Sequence, residues 1–516
     1  MITELLSSKL IEKKSKTNEK FILEVNDTQV LVYENSVLDF SNYHFFIGKI
    51  DNEKYLFIHC EVDNDNLLEK FDGELISNDT LILKRCFFLH TNVLEIQKIF
   101  NFTNPKVIGL KNSFGFGDRI GTANPAHLRS LSANTDFIPV LAQQSIRELT
   151  RTHREAEDVM DAAVWAVMQE GFTNGFGADA DHLKTEDDID RMVKAGYTMF
   201  TFDPSDHVVN EADSMSIESL KEYVKNLKWK NDEKTDLVIN RYVDKEIIID
   251  DDLKLSPTEE DTLRAFVKYG NSFLYISSMY NYLQTTYPNY DFEVEVSVDE
   301  TESVTTPFEH YFMVNELTIL GVKIVSLAPR FIGDFEKGID YIGDLEVFKT
   351  EYIKHLAITE YFGNYKISLH SGSDKFDVYK TIGSLNRGVT HVKTAGTSYL
   401  EALRVVATVD SELFGEILNF SRNHFENEKK TYHVSADINK VKSADNYDDE
   451  ELKDLLNQND ARQVFHVTFG LVLTIKDEAN NYIYRDRIYN CLEENEDLHY
   501  EYLIGHFKRH LLPFKN

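Results

Sequence analysis

The sequence predicts an α/β protein built on a (β/α)8 TIM-like barrel, with a β-rich N-terminal region and a C-terminal α/β extension. Short apolar runs that end in polar clusters alternate with helical patterns from about residue 106 to about residue 395. Alternating β and α units indicate a parallel sheet, and eight such units close into a barrel. A chain of 516 residues has room for one large barrel with additions at either end. An open doubly wound sheet is the alternative architecture.

Eight apolar runs supply the predicted strands of the barrel. A helix predicted over 155–170 separates the second run from the third, and Gly171 ends that helix. The stretch 177–185 follows the third run, and its density of charged residues indicates a loop rather than a core strand. In chain order the predicted strands are 107–110, 137–141, 172–178, 199–202, 292–298, 322–327, 365–369 and 389–392.

Three regions follow from these patterns. Residues 1–105 read as short β-like runs separated by turn residues, 106–430 form the barrel, and 431–516 form the extension. The charged stretch 208–270 interrupts the barrel pattern and indicates an insertion in a loop. This insertion is either a cover over the site or a solvated decoration, of which the decoration is the commoner case.

The composition excludes several classes of partner and site. A net charge of -32 repels phosphate backbones, so we expect neither nucleic acid nor an anionic membrane as a partner. A small anionic substrate needs only a local basic pocket. The three cysteines are far apart and form no Cys-x-x-Cys, which argues against a disulfide framework or a thiolate zinc site. The N-terminus lacks an apolar signal segment and no run of about 18 apolar residues occurs, so we expect a cytoplasmic protein.

Histidines at or near the predicted strand ends suggest a metal site, because strand ends meet at one mouth of a barrel. Two histidines and one carboxylate with open positions would suit a divalent transition metal. For each histidine, a hydrogen-bonded structural role is the alternative. For His506 and His510, which share a helix face near the chain end, we favour a solvated face. The candidate ligands are His182, His207, His370, His391, Asp181, Asp203, Glu300, Glu302, Asp334 and Glu336.

Cationic residues lie at the same predicted strand ends and could hold a substrate carboxylate, although some could simply neutralise neighbouring acids. Small-residue turns at 371–373 and 394–397 could bind an anion or sugar hydroxyls, or cap the next helix. The glycines of 115–121 have the spacing G-x-G-x-x-x-G, which does not fit a dinucleotide fingerprint, and no nucleophile elbow occurs. The cations are Arg119, Lys184, Arg330, Lys337, Lys375 and Lys393.

Six segments in one order resemble motifs of the tagaturonate epimerase family. The resemblance covers the barrel and reaches into the extension. It implies a metal-dependent enzyme of hexuronate breakdown that interconverts D-tagaturonate and D-fructuronate in a bacterial cytoplasm. The segments are Phe114-Gly-Phe-Gly-Asp-Arg-Ile-Gly121, Gly177-Ala-Asp-Ala-Asp-His-Leu-Lys-Thr185, Arg330-Phe-Ile-Gly-Asp-Phe-Glu-Lys-Gly338, Leu369-His-Ser-Gly-Ser-Asp-Lys-Phe376, His391-Val-Lys-Thr-Ala-Gly-Thr397 and Ala461-Arg-Gln-Val-Phe-His-Val-Thr-Phe-Gly470.

The chemistry implied by this resemblance sets the expected roles. The two keto-sugar acids differ at a carbinol carbon β to the ketone, where the carbonyl does not acidify the C–H bond. A retro-aldol route avoids that bond and needs a divalent ion (Mn, Ni, Zn or Co), an acid–base pair and a cation for the carboxylate. We expect His182, Glu300 and His370 to bind the metal, and Asp181, Glu336 and Lys184 to act in catalysis. The expected substrate-binding residues are Arg119, Arg330, Lys337, Ser371, Asp374, Lys393 and Thr394.

Three alternatives stay open at this point. Transient oxidation of the inverting carbon by a bound nicotinamide would also explain an epimerase. A metal-dependent aldose–ketose isomerase would move the carbonyl instead. A non-catalytic sugar-acid-binding barrel would keep the fold without the reaction, although the density of titratable groups at the predicted strand ends favours an enzyme. In each case the partner is a small keto-sugar acid, and the oligomeric state is undetermined.

Overall fold

The N-terminal region is a seven-stranded antiparallel sheet, as its β-like runs predict. The computed structural model describes residues 20–25, 28–61, 63, 65–76, 82–227, 229 and 235–515. In the sheet the strand order is β1-β2-β4-β5-β7-β6, and β3 pairs with β4. The strands are β1 (Lys20–Val25), β2 (Thr28–Tyr33), β3 (Leu38–Phe40), β4 (Tyr43–Ile50), β5 (Glu53–Cys60), β6 (Gly73–Leu75) and β7 (Ile82–Cys86).

Eight parallel strands close into a barrel in the order β10-β11-β14-β15-β16-β17-β8-β9, which confirms the predicted fold class. Neighbours along the chain are neighbours in the barrel, as repeated β–α units require. The barrel strands are β8 (Ser113–Phe116), β9 (Ile138–Ser145), β10 (Gly177–Leu183), β11 (Met199–Phe202), β14 (Glu293–Ser297), β15 (Ser326–Ala328), β16 (Lys366–Leu369) and β17 (Thr390–Thr394).

The first barrel strand lies later in the chain than predicted. Residues 107–110 are outside the barrel, and Val107 and Leu110 are exposed. The strand is instead β8, in which Phe114 and Phe116 are fully buried. Both of these rings contact Phe507 near the chain end, so their burial depends on a partner that local apolar patterning does not reveal.

The third strand also differs from the prediction, because β10 contains most of the polar stretch expected to be a loop. Asp179 and Asp181 alternate with the buried Ala178 and Ala180. The two carboxylates meet Lys393 inside the barrel. Burial of a charge is tolerated where it is paired, so polarity did not exclude this segment from the core.

Helices cover the outside of the barrel and build the rest of the chain. In the described residues no helix is both long and apolar enough to cross a membrane. The helices are α1 (His90–Ile99), α2 (Asn124–Ser130), α3 (Ile146–Thr152), α4 (Ala156–Gln169), α5 (Glu186–Lys194), α6 (Ile217–Asn226), α7 (Thr235–Ile239), α8 (Glu259–Thr286), α9 (Pro307–Ile319), α10 (Leu345–Tyr361), α11 (Phe376–Leu385), α12 (Thr397–Val409), α13 (Ser411–Glu428), α14 (Asp449–Asp454), α15 (Asn459–Thr474), α16 (Arg485–Glu494) and α17 (Glu496–Leu511).

The charged stretch after β11 holds α6, α7 and a short hairpin of β12 (Ile247–Ile248) and β13 (Lys254–Leu255). Its first residues reach the loop after β14, where Asn210 and Asp213 accept hydrogen bonds from Glu302 and Ser303. Helix α8 starts at a capping box formed by Thr258 and runs through residue 270, so the predicted insertion and the barrel share this helix.

The C-terminal extension is helical rather than mixed α/β. In the described part of 431–516, the only β-type pairing is the isolated bridge between Lys476 and Tyr482. Helices α13 and α15 pack together in a second hydrophobic core with α12, whereas α17 packs on α2 and joins the main core. His506 and His510 are buried in this interface, so the solvated face expected for them is wrong.

Glu496 joins the extension to the N-terminal sheet. Its carboxylate accepts a hydrogen bond from Tyr33 Oη at 2.7 Å and lies 3.4 Å from Lys54 Nζ, 3.5 Å from Lys49 Nζ and 3.8 Å from Lys20 Nζ. Burial alone would raise the pKa of Glu496, but the lysines and the tyrosine lower it to about 2. This depressed pKa means that the folded state favours the ionised carboxylate.

We expect Glu496→Gln to lower the free energy of unfolding at pH 7 by on the order of 2 kcal/mol, since each pKa unit is worth about 1.4 kcal/mol. The stabilisation is present above the ordinary Glu pKa of about 4.3 and is lost as the pH falls toward about 2. Urea unfolding of both proteins at several pH values measures the difference. Glu416→Gln, in an exposed ion pair with Arg487, is the control and should change little. A deficit that stays constant down to pH 3 would contradict this account.

Candidate active site

Lys393, on β17, gathers three carboxylates inside the mouth of the barrel. Its Nζ lies 2.6 Å from Asp179 Oδ2, 2.8 Å from Asp181 Oδ1 and 2.7 Å from Glu295 Oε1, and it donates to Thr201 Oγ1 at 2.7 Å. Burial alone would lower the pKa of Lys393, but the carboxylates raise it well above its ordinary value. The lysine therefore stays charged and is engaged with protein groups.

Adjacent strands place these groups at one level. Asp179 on β10 is in register with Gln143 on β9, and Thr201 on β11 with Glu295 on β14. Asp179 accepts hydrogen bonds from Gln143 Nε2 and Thr201 Oγ1, both at 2.9 Å. The interior of such a barrel is filled by layers of side chains from alternate strands, and here the side chains that meet are polar.

His370 follows β16 and lies between two carboxylates. Its Nε2 is 2.6 Å from Glu295 Oε1, and its Nδ1 is 3.2 Å from Asp299 Oδ1. Burial alone would lower the pKa of His370, but Asp299 and Glu295 raise it to about 10. The site thus holds this imidazole in a strongly anionic environment.

His182, at the end of β10, faces His370 with ring centroids 5.2 Å apart. Its backbone is left-handed, with φ of 54°, which is uncommon for a residue other than glycine and redirects the side chain. Nδ1 lies 3.4 Å from Asp203 Oδ2 and Nε2 3.8 Å from Asp181 Oδ1. Burial alone would lower the pKa of His182, but Asp181 and Asp203 raise it to about 9.

Asp181, His182 and His370 form a group suited to a divalent metal ion. Each offers one ligand atom, and these atoms lie within 4.8 Å of one another. His182 Nδ1 is a buried nitrogen with no hydrogen bond, although Asp203 lies close enough for an ion pair. Two imidazoles and a carboxylate are the donor set that Zn, Ni, Co and Mn accept, in competition with protons. Glu300, the expected third ligand, is exposed and lies 3.4 Å from Arg147.

The other histidines predicted at strand ends take no part in this group. His391 lies deeper in the barrel, where Nδ1 is 2.9 Å from Ser113 Oγ, and burial lowers its pKa to about 3. His207 stacks on Tyr275 with ring centroids 4.3 Å apart. The hydrogen bond of His391 and the ring stacking of His207 fit a structural role for these two histidines rather than metal binding.

Most cations near the mouth are already paired with acids. Arg119 is buried 2.8 Å from Glu148, Lys184 donates to Asp206 at 2.9 Å, and Arg330 lies 3.9 Å from Asp334.

Lys337 differs from these cations, because no carboxylate oxygen of the described residues lies within 4.0 Å of its Nζ. The ammonium donates to Ser371 Oγ at 2.6 Å. Burial, together with Arg147, lowers the pKa of Lys337.

Two further predicted site residues serve as links to the extension. Glu336 accepts hydrogen bonds from Ser435 Oγ and Gln463 Nε2, both at 2.7 Å. Asp374 lies 2.8 Å from Arg462, and its backbone N–H donates to His510. Neither Glu336 nor Asp374 lines the two cavities at the barrel mouth, so the structure does not bring them to the metal group.

The side chains of Lys375 and Thr394 also donate hydrogen bonds to backbone carbonyl oxygens of the protein. Lys375 Nζ donates to the carbonyl oxygens of Glu336, Ser373 and Ile339, and Thr394 Oγ1 donates to that of Gly115.

Two adjoining cavities open at this end of the barrel. The outer one has a volume of about 410 Å³ and is bordered by Glu300, Arg330 and His433. Both cavities share Arg147, Lys337, His370, Ser371 and Tyr432. The inner cavity is lined by Arg119, Gln143, Ser145, Arg147, Glu148, Asp181, His182, Lys337, His370, Ser371, Ser373, Lys393, Thr394, Ala395, Tyr432 and His466.

A third cavity, of about 400 Å³, lies between the N-terminal sheet, α4 and α17. Its walls include Trp165 and Tyr500, and the ion pairs of Glu496 border it. The described residues around it include no group of metal ligands, and we place the site at the barrel mouth, where the titratable residues converge.

Comparison with known proteins identifies the family. A model of the tagaturonate epimerase family matches residues 33–513. The chain belongs to this family. A tagaturonate/fructuronate epimerase of Thermotoga maritima is 42% identical over 482 residues, which cover 93% of this chain and 96% of that protein. Crystal structures of fructuronate-tagaturonate epimerase from Cohnella laeviribosi, native and with one glycerol, have 36% identity and a TM-score of 0.88, covering 94% of this chain and 96% of theirs.

Membership of the tagaturonate epimerase family makes this chain an enzyme of the isomerase class and confirms the resemblance. The sequence alone did not single out Gln143, Asp179, Thr201, Glu295 or Asp299 as site residues. One signal was present: β14 reads Glu-Val-Glu-Val-Ser, and polar residues at every second position of a central strand indicate a polar interior.

We expect Lys393→Met to lower the free energy of unfolding by about 3–5 kcal/mol and to abolish epimerisation, because it leaves Asp179 and Glu295 buried without their cation. Urea unfolding and a rate assay measure the two effects. Lys380→Met, which removes an exposed lysine paired with Asp377, is the control. A Lys393→Met protein with unchanged stability would show that this lysine does not hold the carboxylates together.

Proposed function

We propose that this chain interconverts D-tagaturonate and D-fructuronate by a metal-dependent retro-aldol epimerisation. The names of its relatives support the pair of substrates. The observation that carries the proposal is a pair of adjoining cavities, of about 40 Å³ and about 410 Å³, that share His370 and Lys337, with His182 lining the inner one. A keto-sugar acid has matching ends, since its ketone and hydroxyls can chelate a metal and its carboxylate needs a cation.

The metal would be held by Asp181, His182 and His370. When bound, a divalent ion there supplies a Lewis acid for negative charge on substrate oxygen. Around these ligands, Lys393 and Asp203 fix Asp181 and His182 by direct contacts. Residues that orient ligands in this way are needed for metal affinity as much as the ligands themselves.

Lys337 is the cation that we assign to the substrate carboxylate. Arg119, Lys393 and Arg330 have carboxylate partners within the protein, whereas among the described residues Lys337 donates only to Ser371. A cation without an acidic partner attracts an anion more strongly than one already neutralised. This assignment places the substrate carboxylate in the part of the cavities that Lys337 and Ser371 line.

The reaction itself breaks and re-forms one carbon–carbon bond. A base takes the proton from the hydroxyl on the inverting carbon, and the bond from that carbon to the α carbon breaks. The electron pair moves toward the ketone, which leaves an enediolate and an aldehyde. After the aldehyde turns its other face, the bond re-forms and the proton returns, so atoms and charge balance.

Among the predicted acid–base groups, Asp181 is the one that lines the inner cavity, and we assign the hydroxyl proton to the carboxylate oxygen of Asp181 that does not bind the metal. Burial alone would raise the pKa of Asp181, but His182 and Lys393 lower it, so the carboxylate is ionised at neutral pH. Lys184 contacts Asp206 and Ser205, and Glu336 contacts the extension, which gives both residues positioning roles.

Proton NMR of the purified protein with D-tagaturonate tests the function directly. We expect D-fructuronate to form when Mn, Ni, Zn or Co is present, and EDTA to stop its formation. Product without metal dependence would instead favour a bound nicotinamide. An aldose product would favour an aldose–ketose isomerase. Absence of any product with every metal would leave only a sugar-acid-binding role.

Metal analysis tests the ligands independently of turnover. We expect the protein to bind about one equivalent of a divalent ion, and His182→Ala and His370→Ala each to lower its affinity by at least about tenfold, because each removes a ligand. Calorimetric titration of the metal-free proteins provides the measurement. His90→Ala, an exposed histidine paired with Asp161, is the matched control. Unchanged affinity in both site variants would refute this ligand set.

A further inference from the structure

His466 has a donor with no partner at the edge of the inner cavity. It lies on α15 in the extension, is 1% exposed and lines the same cavity as Lys337 and Tyr432. Within the described residues, its buried Nδ1 makes no hydrogen bond. A buried polar atom without a partner costs stability, so its presence beside a cavity calls for a ligand.

Arg119 fixes which nitrogen of His466 carries the hydrogen. Its Nη2 lies 3.4 Å from His466 Nε2, and a guanidinium has donors only. Nε2 is therefore the acceptor, and the hydrogen is on Nδ1. Glu148 holds the guanidinium at 2.9 Å, and the ring of Phe469 lies 3.5 Å from its central carbon.

The surroundings of His466 keep the imidazole neutral. Burial, Arg119 and Lys337 all lower its pKa, which lies well below the ordinary value. A neutral ring can donate a hydrogen bond without adding a further positive charge beside these cations.

Gly396 provides room for the imidazole, since a Cβ there would lie 2.1 Å from His466 Cε1 and 2.5 Å from Nδ1. The loop after β17 therefore accepts this ring from the extension only with glycine at that position.

We propose that His466 Nδ1–H donates a hydrogen bond to the substrate carboxylate that Lys337 binds, and that Arg119 is the positioning residue for His466. The extension thereby contributes directly to selection for a sugar acid over a neutral sugar. This inference rests on the proposed function. It also gives Arg119 a role in substrate recognition that needs no contact with the substrate.

Three substitutions of His466 distinguish the contribution of its hydrogen-bond donor from that of its ring shape. Asparagine can present an N–H where Nδ1 lies, whereas phenylalanine keeps a ring without a donor. Glutamine keeps an acceptor for Arg119 but has no donor near Nδ1. We expect His466→Phe and His466→Gln to raise KM for D-tagaturonate by about tenfold or more, the usual effect of losing a hydrogen bond to a charged group. His466→Asn should stay within about threefold, and kcat should change little in all three.

Several outcomes would overturn the proposal. One is an equal rise in KM for His466→Asn and His466→Gln, and another is a fall in kcat at constant KM. The neutral sugar D-tagatose, which lacks the carboxylate, provides the second readout, since its affinity measured by calorimetry should be the same in His466→Gln and the parent. Arg487→Lys, an exposed arginine of the extension paired with Glu416, is the control.

Calorimetric binding of D-tagaturonate to the three variants gives the same comparison without turnover. If His466→Phe does not fold, His466→Gln and His466→Asn still provide the comparison. A protein that binds the sugar acid through His466 but does not convert it would refute the epimerase proposal alone. Conversion with no dependence on His466 would refute this inference alone.

Discussion

The structure of the site depends on one buried ammonium group. Lys393 is the cation around which Asp179, Asp181 and Glu295 meet. Without a cation, three carboxylates at this distance would repel one another and favour protonation. With it, β10 and β14 can direct acids into the barrel interior. Glu295 in turn holds His370, so the position of one metal-ligand candidate follows from this ion cluster.

The inner cavity is lined by residues of the C-terminal extension as well as by residues of the barrel. The barrel provides the metal group, whereas Tyr432 and His466 close the inner cavity from outside the barrel strands. Arg462 contacts both the Gly338 carbonyl and Asp374, so it links the loops that carry Lys337 and Ser371. These contacts make the extension part of the site rather than a separate appendage.

Periodicity predicted the barrel because repeated β and α units leave a pattern along the chain. It failed where burial depends on distant partners, as for β8 under Phe507 and for β10, whose acids meet Lys393. The histidines His182 and His370 could be predicted from their place after strands. Lys337 was among several cations at strand ends, and only the structure shows which of them lack an acidic partner. His466 lies in the segment 461–470 that resembles a family motif, but no feature of the local sequence distinguishes it from other helix residues.

Arg119 and His466 are 347 positions apart in the chain, and the inner cavity needs both. Synthesis runs from the N-terminus, so all eight barrel strands leave the ribosome before α15 does. A nascent chain can therefore have all eight strands outside the ribosome and still lack His466 in the cavity wall and Phe507 against β8. The inner cavity is therefore completed late in translation, and a chain truncated before α15 would lack both His466 and the contacts that Arg462 makes to Gly338 and Asp374.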